Sequence, residues 1–132
     1  MTRELWAHPR FVRGCYVHPP GKAGRGITWK AFHYGLNGWA YFSYYYPRGS
    51  PWNVTDWSEL NYAYMMVFPG PNGPILAPVY ETMREGWEDY RLLTELRRRG
   101  KNDVVEELLA AYKKGASFPA LRLKALRACQ AK

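Results

Sequence analysis

The chain reads as an α/β protein, and three observations say so. Its composition changes near residue 78: residues 1–78 hold nine of the 12 glycines, nine of the 10 prolines and 17 of the 22 aromatic residues. The first part carries short apolar runs bounded by glycine and proline, as strands do, while the second loses that punctuation and becomes periodic at helical spacing. Between the first two strand-like runs lies a helical stripe closed by glycine, the strand–helix–strand order that builds a parallel sheet.

Phe11 to Val17 forms the first expected strand, stopped by Pro19 and Pro20, which cannot continue a ladder. A glycine-rich stretch leads to a helix through Ile27, Ala31, Phe32 and Tyr34, with Gly35 or Gly38 closing it. The run Gly38 to Tyr46 is the next strand, ended by Pro47. A polar excursion with Trp52 and Trp57 follows, then a strand over 62–68 and a turn centred on Pro71-Asn72-Gly73. Pro78 suits the first turn of a long helix ending at Gly100, with a buried stripe through Val79, Tyr80, Met83, Trp87, Tyr90 and Leu93 or Leu96. Asp103 is placed to cap the next helix, which stops at Gly115, and Ser117 with Pro119 opens a last one through Leu121, Leu123, Leu126 and Cys129.

With 132 residues the chain suits one domain or part of one. Hydrophobic residues at 47% and charged residues at 23% argue against disorder. The net charge of +8 invites a nucleic-acid reading, but residues 84–132 mix twelve basic with seven acidic side chains, as a solvated helical face does. No basic stripe interleaved with aromatics is present, so a nucleic-acid partner is not expected. Cys15 and Cys129 have no zinc or disulfide spacing, and His8, His18 and His33 have no metal spacing, so neither a metal nor a cofactor is expected. There is no run of 18 apolar residues, hence no expected membrane partner, and the compartment stays open. Asn53-Val54-Thr55 fits a glycosylation sequon, a pattern common by chance.

Residues 35–52 crowd Trp39, Tyr41, Phe42, Tyr44, Tyr45, Tyr46 and Trp52 together. Tyrosine brings a hydroxyl that needs a partner, so such a run fits a wet, apolar-faced surface better than a dry core. Aromatic faces stack on the C–H faces of pyranose rings while hydroxyls and indole N–H groups meet sugar oxygens, which makes Trp39, Tyr41, Tyr44, Tyr45, Trp52 and Trp57 the candidate substrate-binding residues.

One segment resembles a known family. Glu81, Arg84, Glu85, Gly86, Glu88, Asp89 and Tyr90, with Leu93 following, look like the signature at the C-terminal end of glycoside hydrolase family 123 and its relatives. Trp29, Gly35, Gly38 to Phe42, Pro51-Trp52 and the turn at 67–75 resemble further motifs of that family, in the same order. Ala77 and Val79 stand where members often carry Ser and Arg, and Phe42 stands where a tryptophan is usual.

The resemblance implies a partial (β/α)8 barrel over residues 1–100, its last strands and helices, with residues 101–132 as a helical tail packed on it. It further implies a C-terminal fragment of a glycoside hydrolase-like protein that supplies an aromatic sugar-pocket wall and closes the barrel. Partners would then be carbohydrate and the remainder of the barrel, in cis or from another chain. The family's substrate-assisted chemistry needs an adjacent Asp-Glu pair on a strand. Outside the helices this chain's acids are only Glu4, Asp56 and Glu59, so no catalytic residue is assigned, and N-acetylhexosaminidase-like activity is expected only as part of a longer chain or complex. A small autonomous carbohydrate-binding or interaction module is the alternative.

From the residues alone, Glu81, Arg84 and Glu88 share one helix face as a charged ladder. Gly86 in the helix interior costs about 1 kcal/mol against Ala, a cost worth bearing where another backbone must come close.

Overall fold

The computed structural model describes residues 6–7, 24–36, 38–39 and 66–131. Four helices dominate them: α1 (Arg25–His33), α2 (Pro78–Arg98), α3 (Asn102–Lys113) and α4 (Phe118–Gln130). The strands are four two-residue pieces, β1 (Trp6–Ala7), β2 (Gly38–Trp39), β3 (Val67–Phe68) and β4 (Ile75–Leu76). β1 pairs with β2 in parallel and β3 with β4 in antiparallel. The partial-barrel expectation is therefore corrected. Among the described residues the architecture is a helical assembly with two minimal ladders, and pairs this short cannot present the broad apolar face on which a barrel's helices pack.

The reason lies in where the helices turn their apolar stripes. Trp29 and Phe32 of α1, Leu93 and Leu96 of α2, Val105, Leu108 and Leu109 of α3, and Leu121 and Ala125 of α4 form one buried cluster. The helices thus cover most of one another's apolar faces, and the N-terminal turns of α2 meet only the short hairpin through Val79 and Met83. α3 and α4 share this core with α1 and α2.

Several elements differ in detail from expectation. The expected strand over 11–17 and the greater part of that over 38–46 lie outside the described residues, where only Gly38–Trp39 is seen as strand. The run ending at Phe68 is a hairpin arm: Val67 faces Leu76 and Phe68 faces Ile75 across the Pro-Asn-Gly turn. The α2 stripe is Val79, Thr82, Met83, Gly86, Asp89, Leu93 and Leu96, while Trp87 is exposed. In α4 the buried residues are Leu121 and Ala125, with Leu123 and Leu126 exposed. Asp103 lies in the first turn of α3, whose cap position is Lys101. The helix ends agree with the glycine reading, since Gly35, Gly100 and Gly115 follow α1, α2 and α3 in the left-handed conformation. There the next residue's N–H reaches five residues back, to Ala31, Leu96 and Ala111 respectively, the six-to-one bond of a Schellman stop.

α1 and α2 meet unusually closely. A Cβ on Gly86 would lie well inside contact with Thr28 Oγ1 and 3.0 Å from Arg25 Cα. A Cβ on Gly24, at the N-cap of α1, would crowd Thr82 Oγ1 and stand 2.9 Å from the main chain of Val79 and Met83. Glycine and threonine four apart on each helix therefore form the contact, and the two threonine hydroxyls bond their own helices, to Arg25 O and Val79 O. Gly86→Ala gains about 1 kcal/mol of helix propensity and loses about 1–3 kcal/mol to overpacking. A net loss is expected, read as a lower urea midpoint at unchanged m-value, because the obstructing atoms include backbone.

Candidate functional site

The close approach of α1 and α2 buries a charged cluster. Arg25, 5% exposed, points its guanidinium at Asp89, 1% exposed, in a two-pronged contact: Nε donates to Oδ2 at 2.6 Å and Nη2 to Oδ1 at 3.0 Å. Nη1 donates to Glu85 Oε2 at 2.8 Å. Trp29, one turn along α1, donates its indole N–H to Asp89 Oδ2 at 2.9 Å. From α4, Arg122 Nη1 stands 3.4 Å from Asp89 Oδ1, and Nη2 donates to Glu88 at 2.5 Å. Burial works against the charge on Arg25, but the hydrogen bonds and charges of Asp89 and Glu85 outweigh it and raise its pKa above the usual arginine value.

An aromatic shelf surrounds this cluster. The Trp29 ring lies 5.4 Å from Tyr112 and 6.2 Å from Phe118, and the Arg25 guanidinium sits 5.3 Å above Phe118. Tyr112 donates to Gly26 O at 3.2 Å, and burial raises its phenol pKa, which keeps the hydroxyl a donor. On the other side Phe32 meets Tyr90 edge-on at 5.1 Å, and Tyr90 donates its hydroxyl to Leu36 O at 2.9 Å. That bond ties α2 to the stretch leading from α1 into β2.

Between α2 and α4 an open cleft of about 470 Å³ borders the cluster. Arg84, Glu85 and Glu88 line it from α2, Pro119, Arg122 and Leu123 from α4, and Arg25 reaches it as well. Arg84 bridges Glu81 at 2.8 Å and Glu88, so Glu88 is shared by two arginines. Hydrogen bonding to Arg122 holds the Glu88 carboxyl below its ordinary pKa, aided by the charges of Arg122 and Arg84. Such a carboxylate accepts hydrogen bonds and does not deliver protons near neutral pH.

The sequence-predicted residues divide cleanly. Glu81, Arg84 and Glu88 form the expected exposed ladder, and Gly86 stands where another backbone comes close. Asp89 and Tyr90 turn out to be the anchors of α1 and of its exit. Of the aromatic candidates, Trp39 belongs to β2, while Tyr41, Tyr44, Tyr45, Trp52 and Trp57 lie outside the described residues, as do His8, Cys15, His18 and the sequon. His33 lies against Tyr34 at 4.9 Å, and Cys129 packs partly buried against the core. Sequence reasoning missed Arg25, Glu85 and Arg122 as partners. The available signal was Asp89 itself, a carboxylate three residues from Gly86 on the packed face and so in need of a cation. Ala77 and Val79, where the resembled family often has Ser and Arg, are buried with Met83 behind the β3–β4 hairpin.

No family model and no curated protein matches the chain. Among the described residues no group of three or more His, Cys, Asp or Glu side chains is placed to hold a metal ion, and no helix is long and apolar enough to cross a membrane.

Truncating Asp89 to Ala takes from Arg25 its two-pronged buried partner and leaves it the half-exposed Glu85, a loss of up to about 3–5 kcal/mol. Pairing Asp89→Leu with Arg25→Met should recover most of it, and a double-mutant cycle by chemical denaturation measures the recovery. On acidification, the stability due to Glu88 is complete above its ordinary value of 4.5 and is lost as pH falls through its lowered folded value. Glu95, held at about 2 by its hydrogen bonds to Arg98 and Arg99, behaves alike at a lower pH. Glu88→Gln is expected to flatten the acid limb of the stability curve just below 4.5 and leave the lower part, read by circular dichroism.

Proposed function

We propose that this chain is a non-catalytic, carbohydrate-contacting part of a protein similar to glycoside hydrolase family 123, in which the α1–α2 clamp fixes the entry to an aromatic sugar-binding segment. The observation that carries the reading is the Tyr90 hydroxyl bound to Leu36 O, two residues before Gly38–Trp39. With Asp89 holding Arg25 and Trp29, it makes the family-like signature a device for setting where the aromatic run begins. Placing rigid rings before a sugar lowers the ordering cost of binding, which is what such a clamp would contribute.

A non-catalytic role fits the acids of α2. Glu88 is held ionised between two arginines, and both oxygens of Asp89 already accept hydrogen bonds inside the core. Neither suits a general acid, whose proton must be held near working pH. The continuous core of four helices also favours the second reading, a module that folds and binds by itself.

Titration with N-acetylglucosamine and N-acetylgalactosamine, followed by tryptophan fluorescence, is expected to give a saturable change that Trp52→Ala removes. Tyr90→Phe, which keeps the ring and loses the Leu36 bond, should weaken binding with little change in thermal midpoint. An unresponsive wild-type protein overturns carbohydrate contact, and turnover of an aryl N-acetylhexosaminide overturns the non-catalytic role.

A further inference from the structure

We infer that Asn72, in the turn of the β3–β4 hairpin, is a site of spontaneous deamidation that converts this turn to aspartate and isoaspartate. Gly70, Pro71, Asn72 and Gly73 form the turn, and Pro71 to Leu76 are all exposed. The main-chain nitrogen of Gly73 is the nucleophile in this chemistry. It lies beyond the paired residues, and among the described residues it is engaged only by Gly70 O at 3.4 Å, near the limit of a hydrogen bond. The side of Gly73 where a side chain would stand is open space, and its φ of 126° is one that other residues rarely adopt. Asn72 and Gly73 thus both stand exposed in the turn.

The reaction balances with water alone. The Gly73 amide gives its proton to hydroxide, its nitrogen bonds to Asn72 Cγ, and the bond from Cγ to the side-chain nitrogen breaks. That nitrogen takes a proton from water, which returns the hydroxide consumed in the first step, and leaves as ammonia, and a five-membered succinimide remains. Water then opens either carbonyl: one opening gives aspartate, the other isoaspartate, in which the main chain runs through the side-chain carboxyl carbon. No oxidant or reductant enters, and the rate rises with pH because the deprotonated amide attacks.

The consequence is local and specific. Residues 60–80 contain no charged side chain, so the product carboxylate is the first charge in that stretch. The isoaspartate form also lengthens by one carbon a turn whose arms pair over only two residues each. Those arms lie beside the cluster of Ala77, Val79 and Met83, against which Met66 and Phe68 pack.

A second Asn-Gly pair, Asn37-Gly38, serves as comparison within the molecule, because Gly38 is paired with Trp6 in the β1–β2 ladder. The folded protein, aged at neutral and mildly alkaline pH, is digested and mapped by mass spectrometry with fragmentation. Replacement of amide by acid at Asn72 in two separable isomers, faster at the higher pH and ahead of Asn37, is the expected result. Intact Asn72 in folded protein whose urea-unfolded counterpart converts overturns the inference, as does Asn37 converting first. Asn72→Gln, which disfavours the five-membered ring, should leave this position unmodified, and a lower urea midpoint after ageing in wild type but not in this variant ties the modification to the hairpin.

Discussion

A guanidinium placed where 5% of the residue meets solvent would cost several kcal/mol of lost hydration if it stood alone. Asp89 removes that penalty by meeting it with both oxygens, and the remaining parts of the assembly are arranged around the pair. The glycine–threonine contact brings α1 close enough for Arg25 to reach Asp89. Trp29 then finds a partner for its indole N–H on the same carboxylate and can lie flush in the core. Each of these contacts presupposes the others, so the clamp is satisfied as a unit.

The surface of the bundle follows a different logic. Several of its ion pairs are local, with Glu95 between Arg98 and Arg99 and Arg84 between Glu81 and Glu88, while Arg97–Glu106 and Lys124–Glu107 cross between helices. Pairs of this kind are each worth little. Arg97 is put to a further use, its guanidinium lying 4.3 Å over Phe32 and covering one edge of the core.

How far the residues foretold this depends on whether a feature was local. Pro78 as the start of α2, the glycine stops and the Glu81–Arg84–Glu88 ladder all rest on neighbours within a turn, and those readings hold. Gly86 could be read because a costly residue in a helix interior implies an approaching backbone, although nothing local said whose it was. The α2 stripe was misjudged where polarity misled. Trp87 outranks Asp89 by hydropathy, yet the carboxylate is buried because a cation 64 positions away in the chain neutralises it. Arg25 sits in a stretch whose glycines read as loop, and one of them instead lets α1 begin against α2. The architecture was missed for a related reason: short apolar runs with glycine and proline look alike whether they extend a sheet or merely touch for two residues.

The corner between α2 and α3 carries a feature with wider meaning. Arg99 donates to Cys129 O at 2.6 Å, and the Lys101 ammonium donates to Ala128 O at 2.8 Å and to Ala131 O. Both cations address peptide oxygens at the carboxyl end of α4, the negative pole of that helix. Peptide oxygens are the same whatever side chain follows them, so this attachment is blind to residue identity along 128–131. Substitutions at Gln130 and Ala131 can drift through many alternatives while α4 stays seated, since of this stretch Ala128 and Cys129 are the ones also packed on the core, whereas Arg99 and Lys101 have no such latitude. The tolerance of one segment is thus inherited from the constancy of another, a division of mutational freedom drawn by main-chain recognition.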